Sequence, residues 1–508
     1  MRRPLRAAGG AAGLLALLLC GAEPAAADTA NEAYDLVLAG GRVMDPESGL
    51  DAVRHVGIRE DRIAALSETP LSGATTLDVT GLVVAPGFID LHVHGQHAPG
   101  YDFMARDGVT TALDLEAGVH GTEEFLDERA GTARVHYGAS AGHIGARLYV
   151  THGFSTGHTA TRVAEGGGFG GWLVRFVQRW FRPTAWMYEP ADRGERSEIT
   201  ATLGEQLDQG AIGIGLGLAY TPAADAEELG AVFALAAERG VPCFVHIRDQ
   251  ERAGDLAPLE EVLGYAGETG AALHVVHINS SSRAAIGDYL ARVGEARTAG
   301  IDVTTEAYPY TAASTQIESA LFDEGWQERR DIEYADLQWV ATGERLTAET
   351  FTRYRRQGGT VILHMMEPEW IETAMSHPLV MIASDGMPMV EGAHPRGAGT
   401  HARVLGHYVR ERGTIGLMDA IAKLSLMPAQ RLEAFVPAMA RKGRVRVGTD
   451  ADLTVFDPET VADRATFEDS LQYSEGIPHV IVAGSFVVRD GALVDAAFPG
   501  RAVRARLP

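Results

Sequence analysis

The middle of this 508-residue chain alternates apolar, strand-like runs with helical stretches, and that alternation restricts the available folds more than any single motif does. Eight runs end near His94, Leu115, Ser140, Gly217, Ile247, Ile278, Glu306 and Ser384, the count a parallel (β/α)8, TIM-like barrel requires. A ninth, Thr360-Val-Ile-Leu-His364, exceeds that count and is read as an insertion before the last strand. The length suits one barrel of roughly 250 to 400 residues plus a smaller domain. Short strands between Gly, Pro and Asp turns supply that domain, from Tyr34 to about Val84 and again over Asp450–Asp457, His479–Ala483 and Ser485–Arg489.

Each barrel strand aims the residues at its C-terminal end at a common mouth, where (β/α)8 enzymes place their chemistry. In Pro86-Gly-Phe-Ile-Asp-Leu-His-Val-His94, residues two apart project the same way, so His92 and His94 point at one spot. Glu116 follows the second strand, His246 the fifth, His277 the sixth and Asp385 the eighth. Singly, a strand-end histidine is most often structural, and an Asp before Gly is most often a turn residue. Together, ligand-type residues on five strand ends converge on the barrel axis, as a metal site requires. His274, inside the sixth strand and facing away from His277, reads as structural. His97, His120, His364 and His407 have no comparable placement.

The composition, 46% hydrophobic and 22% charged, is that of an ordinary globular protein. A formal net charge of -24 argues against nucleic acid or an anionic membrane as partner, and an anionic small molecule would need local arginines to overcome the field. Met1-Arg-Arg-Pro-Leu-Arg6, the leucine run to Leu19 and Ala25-Ala-Ala27 have the three parts of a secretory signal peptide, too short in its apolar part to span a membrane. Residues 1–27 are therefore expected to be removed on export to the periplasm or medium. Cys243 would then be the only cysteine, buried in a strand and without a disulfide partner. The stretch 153–190, with Gly166-Gly-Gly-Phe-Gly-Gly171 followed by Trp172, Phe176, Trp180 and Trp186, reads either as a flap over the mouth or as an amphipathic helix packed on the barrel.

The run ending in His92-x-His94 resembles the first-strand signature of the amidohydrolase superfamily. Gly213-Ile-Gly-Leu-Gly-Leu-Ala-Tyr-Thr-Pro222, Val245-His-Ile-Arg-Asp249, Ala307-Tyr-Pro-Tyr310, Ser384-Asp-Gly386 and His394-Pro-Arg-Gly-Ala-Gly399 narrow the resemblance to its D-aminoacylase (N-acyl-D-amino-acid deacylase) branch, over most of the chain. The resemblance implies that 28–85 and 438–508 pair as a small β-sandwich beside a barrel of 86–437. It implies one or two Zn2+ ions held by His92, His94, His246 and His277, with Asp385 as ligand and catalytic acid/base. Arg396 would hold the substrate carboxylate, and Tyr220 and Tyr310 would lie near the bound amide. Two positions depart from the pattern. The branch places a cysteine ligand where this chain has Glu116, and oxygen in place of sulfur also admits Mn2+ or Co2+. A lysine two residues after the sixth-strand histidine is here Asn279. Many superfamily members bridge two metals with a carboxylated lysine, yet among 44 basic residues only Lys423 and Lys442 are lysines, so Glu116 is left to bridge.

The expected chemistry is hydrolysis of an N-acyl-D-amino acid, the metal lowering the pKa of bound water and polarising the carbonyl while Asp385 carries the proton. Arg248, two residues past His246, can meet an acidic side chain, pointing to N-acyl-D-glutamate or D-aspartate, unless it pairs with a local acid such as Glu251. His143 can hold the carbonyl oxygen or be a loop histidine bonded to backbone. A dipeptidase, cyclic amidase or lactonase would use the same metal site, and a non-catalytic exported ligand-binding barrel would keep the fold without turnover.

Overall fold

The computed structural model describes residues 34–152 and 185–506; the expected export signal and nearly all of the expected flap lie outside the described residues. Five strands open the chain: β1 (Tyr34–Asp45), β2 (Leu50–Arg59), β3 (Arg62–Ser67), β4 (Gly73–Asp78) and β5 (Val83–Pro86). The barrel follows with β6 (Phe88–Asp90), β7 (Val109–Val119), β8 (His136–Gly142), β9 (Ile214–Gly217), β10 (Cys243–His246), β11 (Leu273–Val275) and β12 (Val303–Ala307). The chain then leaves the barrel for β13 (Ala312–Gln316), β14 (Leu337–Trp339) and β15 (Thr360–His364), and returns with β16 (Val380–Ile382). Last come β17 (Leu453–Phe456), β18 (His479–Val482), β19 (Ser485–Arg489) and β20 (Ala492–Leu493).

Strands β6 to β12 and β16 form a parallel eight-stranded sheet in chain order, each joined to the next by helical crossovers or, before β16, by the insertion. The ninth apolar run is β15, the central strand of a separate antiparallel sheet with β13 and β14, so it belongs to that insertion. Closure happens beyond the ladder, at the end of the first strand. His94 N donates to Gly386 O at 2.7 Å and Val93 N to Leu113 O at 3.1 Å, clamping the segment after β6 between the eighth and second strands. Asp90 adds to this from the side, its Oδ1 accepting from His92 N and Ser384 N, both at 3.1 Å. Gly87 permits the approach, because a Cβ there would lie 2.2 Å from Thr110 Oγ1 on β7.

The terminal segments do pair, through β5 antiparallel to β17. Their strands hydrogen-bond into one continuous nine-stranded sheet built from both ends of the chain. β1 is shared: its first half pairs with β4 and its second half with β5, with an irregularity between Leu38 and Gly41 where the sheet turns from one partner to the other. Leu38, Val56, Ile63, Val84, Leu453 and Ile481 bury one cluster inside the turn.

Both lysines are structural. Lys423 Nζ donates to the carbonyls of His377 and Val380 at the foot of β16, and burial pulls its pKa down to about 8. Lys442 lies buried between Asp450 and Asp452. Asp452 also meets His136 Nε2 on β8 at 3.1 Å and accepts from Ala483 N at 2.7 Å, so one carboxylate ties the small sheet to the barrel. Burial works against its charge, but Lys442 and His136 outweigh burial and hold the carboxyl well below the usual range. A depressed carboxyl pKa adds stability that is present above the unfolded value, about pH 4, and lost as pH falls. Asp452→Asn should therefore cost about 3 kcal/mol in urea denaturation at pH 7. That gap should narrow by about 1.4 kcal/mol for each pH unit below about 4; a gap constant from pH 7 to pH 3 would show that the charge of Asp452 contributes nothing.

Candidate active site

Six side chains from five strand ends meet at the barrel mouth. The rings of His92 and His94 stand almost perpendicular, with Nε2 atoms 3.2 Å apart. Asp385 Oδ1 lies 3.4 Å from His92 Nε2 and 3.6 Å from His94 Nε2. Glu116 divides its two oxygens: Oε2 lies 3.5 and 3.4 Å from those same nitrogens, while Oε1 lies 2.9 Å from His246 Nδ1. His277 Nε2 completes the second group, 3.0 Å from His246 Nδ1. His277 and Asp385 take positive φ, 31° and 51°, a conformation that costs of order 1 to 3 kcal/mol.

Behind these groups stands a second layer. Glu306, buried at the end of β12, accepts from His92 Nδ1 at 2.7 Å and lies 3.1 Å from His274 Nε2, whose Nδ1 meets Thr304 Oγ1 at 2.8 Å. Asp114 lies 3.3 Å from His94 Nδ1. Carboxylates on the Nδ1 side leave each Nε2 lone pair facing the shared centre, the usual arrangement of ligating histidines. The electrostatics agree. Burial pulls the His94 pKa down, yet Asp114, Asp385 and Glu116 outweigh it and raise it to about 10. His92 rises well above its ordinary value against burial in the same way, through Asp385 and Glu306. Burial and the neighbouring His246 push His277 down to about 3. A largely buried centre so rich in negative charge calls for a cation. Two overlapping triads, His92–His94–Asp385 and His92–Glu116–His277, have ligand atoms all within 4.8 Å of one another. Imidazole nitrogen and carboxylate oxygen are the donor types zinc and similar ions accept, and the residues fit a metal centre.

The centre opens on a cavity of about 330 Å³, within the range of small-molecule sites. Asp385 faces it, backed by Arg396, whose Nη2 lies 3.0 Å from Asp385 Oδ1.

A model of the amidohydrolase family matches residues 265–488. The N-acyl-D-glutamate deacylase of Alcaligenes xylosoxydans xylosoxydans is 33% identical over 490 residues, covering 90% of this chain and 94% of the relative. The D-aminoacylase of the same organism is 31% identical over 496 residues, covering 91% and 96%. The chain belongs to the D-aminoacylase branch of the amidohydrolases. A crystal structure of the Bordetella bronchiseptica N-acyl-D-glutamate deacylase, complexed with zinc and a phosphonate mimic of the tetrahedral intermediate, superposes with a TM-score of 0.77 at 26% identity, covering 93% of this chain and all of that one.

Against the branch's pattern, the structure brings His92, His94, Glu116, His246, His277 and Asp385 together and sets Arg396 and Tyr220 beside them. The Tyr220 ring meets that of His246 edge-on at 4.9 Å, and its hydroxyl lies 3.0 Å from Thr315 Oγ1. Of the other expected substrate contacts, His143, Asn279 and Tyr310 do not line the cavity, and neither does Arg396 behind Asp385, whereas Arg248 does. His143 is fully buried against Glu228, its Nε2 2.8 Å from Oε1, in a cluster with Arg147 outside the cavity wall. Asn279 is buried too, and its amide donates to Tyr308 O at 3.1 Å. Tyr310 packs beneath the Arg403 guanidinium, and Tyr308 lines the cavity instead. Arg248 reaches the wall, but Glu261 holds its Nε at 2.9 Å and the carbonyls of Pro222 and Ala224 accept from its other nitrogens, so its charge is already paired. The pairing acid is Glu261, not Glu251.

Sequence reading overlooked Asp114 and Glu306, although Asp114 stands two residues before Glu116 on one strand face and Glu306 ends a barrel strand. His274, read as structural, is the far end of the layer that orients His92. Glu306→Gln should weaken metal binding by about 10- to 100-fold in a chelator-competition titration; an unchanged affinity would mean that Glu306 does not orient His92.

Proposed function

We propose that this chain hydrolyses the amide bond of N-acyl-D-amino acids at a centre of one or two zinc ions, with Mn2+ or Co2+ as alternatives, held by His92, His94, Glu116, His246, His277 and Asp385. The observation that carries the reading is the division of Glu116, one oxygen toward the His92–His94 pair and the other toward the His246–His277 pair, with Asp385 beside the first. Relatives that deacylate D-amino acids over nearly the whole chain support it, as does the zinc-bound phosphonate complex of the Bordetella enzyme. A bound metal would lower the pKa of water and polarise the scissile carbonyl.

The protein's own groups supply the rest. Burial opposes ionisation of Asp385, but Arg396 and His92 outweigh it and hold the carboxyl far below its usual range, so at neutral pH it is ionised and free of a proton. In that state it can take the proton of the attacking water and pass it to the departing amine. Arg396 has Nε and Nη1 without partners among the described residues, which leaves N–H groups to grip the α-carboxylate of the amino acid. Burial, with Glu116 next, keeps the Tyr220 phenol protonated as a hydrogen-bond donor toward the acyl oxygen. Export, supported by the three-part N-terminal segment, would put the enzyme in the periplasm or medium.

N-acetyl-D-amino acids should release free amine, and Asp385→Asn should lower kcat by about 10²- to 10⁴-fold while keeping the metal. Full activity in that variant would remove Asp385 from the proton path. Cleavage of dipeptides or cyclic amides, with no release from N-acyl-D-amino acids, would replace the substrate class while leaving the centre in place.

A further inference from the structure

The two ends of the ligand cluster are backed unequally. His92 and Glu116 stand between them: His92 belongs to both ligand triads, and Glu116 turns one oxygen to each end. What distinguishes the first end is His94 with Asp385. Asp385 is itself a charged ligand group, and the far nitrogen of His94 has a carboxylate of its own, Asp114 Oδ2 at 3.3 Å. That carboxylate is held in place, because Asp114 Oδ1 accepts from Gly118 N at 3.2 Å. Arg396, 3.0 Å from Asp385 Oδ1, offsets part of this charge.

The second end is His246 with His277. Where His94 has a carboxylate, His277 has a hydroxyl, Ser281 Oγ lying 3.3 Å from His277 Nδ1. His246 turns Nδ1 to the cluster, and its ring meets the Tyr220 ring edge-on. Among the described residues, Glu116 is the one carboxylate at ion-pair distance from His246, and none stands that near to His277. Setting aside the shared Glu116, two carboxylates less one guanidinium leave a negative charge at the first end and none at the second. A divalent cation is drawn to that charge strongly in a buried site. A carboxylate behind a ligating imidazole also raises its basicity and fixes its orientation, which is worth about 10- to 100-fold in metal affinity. A neutral hydroxyl orients the ring without supplying charge.

We infer that the two ends take metal in a fixed order: the first, tighter ion goes to His94 and Asp385 with His92, and the second, weaker ion to His246 and His277. Asp114 and Ser281 are the positioning residues that set this order. The inference rests on the proposed function for the presence of a metal centre and is independent of the substrate.

The test needs no substrate. The protein is stripped with a chelator, one equivalent of Zn2+ is returned, and crystals are measured at the zinc absorption edge. The main anomalous peak should stand among His92, His94 and Asp385, with about a tenth of its height or less beside His246 and His277. A main peak at the His246–His277 end, or two equal peaks, overturns the inference. In solution, chelator competition should resolve two steps, the first at least about tenfold tighter than the second. Asp114→Asn should weaken the tight step by about 10- to 100-fold, and Ser281→Ala should weaken the second step alone. A tight step that Ser281→Ala weakens and Asp114→Asn spares overturns the assignment. Should Asp114→Asn not fold, His246→Ala takes its place: the weak step should vanish and the tight step remain, and loss of the tight step overturns the inference. Release of amine from N-acetyl-D-amino acids is scored apart. Zinc bound in the expected order without release fails the functional reading and leaves the inference standing; release with the opposite order does the converse. A protein that binds no zinc fails both.

Discussion

The site depends on how the barrel closes. β6 is only three residues long, and the segment after it is held by backbone bonds to Leu113 on one side and Gly386 on the other. Those two bonds place Val93 and His94, and the alternation of side chains along the extended chain then carries His92 and His94 to the same point. The clamp also brings Asp385, next to Gly386, against both imidazoles. Barrel closure and ligand convergence are therefore one event, and Gly87 and Asp90 serve both.

Once closed, the mouth gathers more negative than positive charge. Glu116, Asp385, Glu306 and Asp114 face the imidazoles, with Arg396 as the guanidinium against Asp385. Among buried groups such an excess is unfavourable without a compensating cation. The raised pKa values of His92 and His94 express that imbalance in the absence of an ion. Glu306 and Asp114 thus do two things: they set the imidazole tautomers and they contribute to the field that draws a cation in.

The barrel and the convergence of the candidate ligands were legible because both follow from short-range rules. Strand period and crossover spacing placed the eight strand ends, and a residue at a strand end in such a barrel can point to only one place. The same logic made β15 an outsider, since nine parallel strands do not fit. Substrate contacts were less legible because they depend on which partner a side chain finds across the fold. His143 and Glu228 are 85 residues apart and pair in the core; Arg248 is taken by Glu261 on a following helix. Tyr308 and Tyr310 differ by two positions, yet only Tyr308 reaches the cavity, because the chain turns out of β12 between strand and insertion.

The scarcity of lysine gains a physical meaning from these placements. Both lysines are buried in structural roles, Lys423 under β16 and Lys442 between the small sheet and the barrel, so no ammonium is left for carboxylation or for substrate. The cations that reach the catalytic cavity, or back the groups that do, are arginines. Guanidinium stays charged under all working conditions and cannot take up carbon dioxide to become a ligand, so it can grip anions but cannot bridge metals. With both lysines engaged, a carboxylated lysine is not available to a metal centre in this barrel. Glu116, on the strand face it shares with Asp114, is the carboxylate whose two oxygens face both histidine pairs.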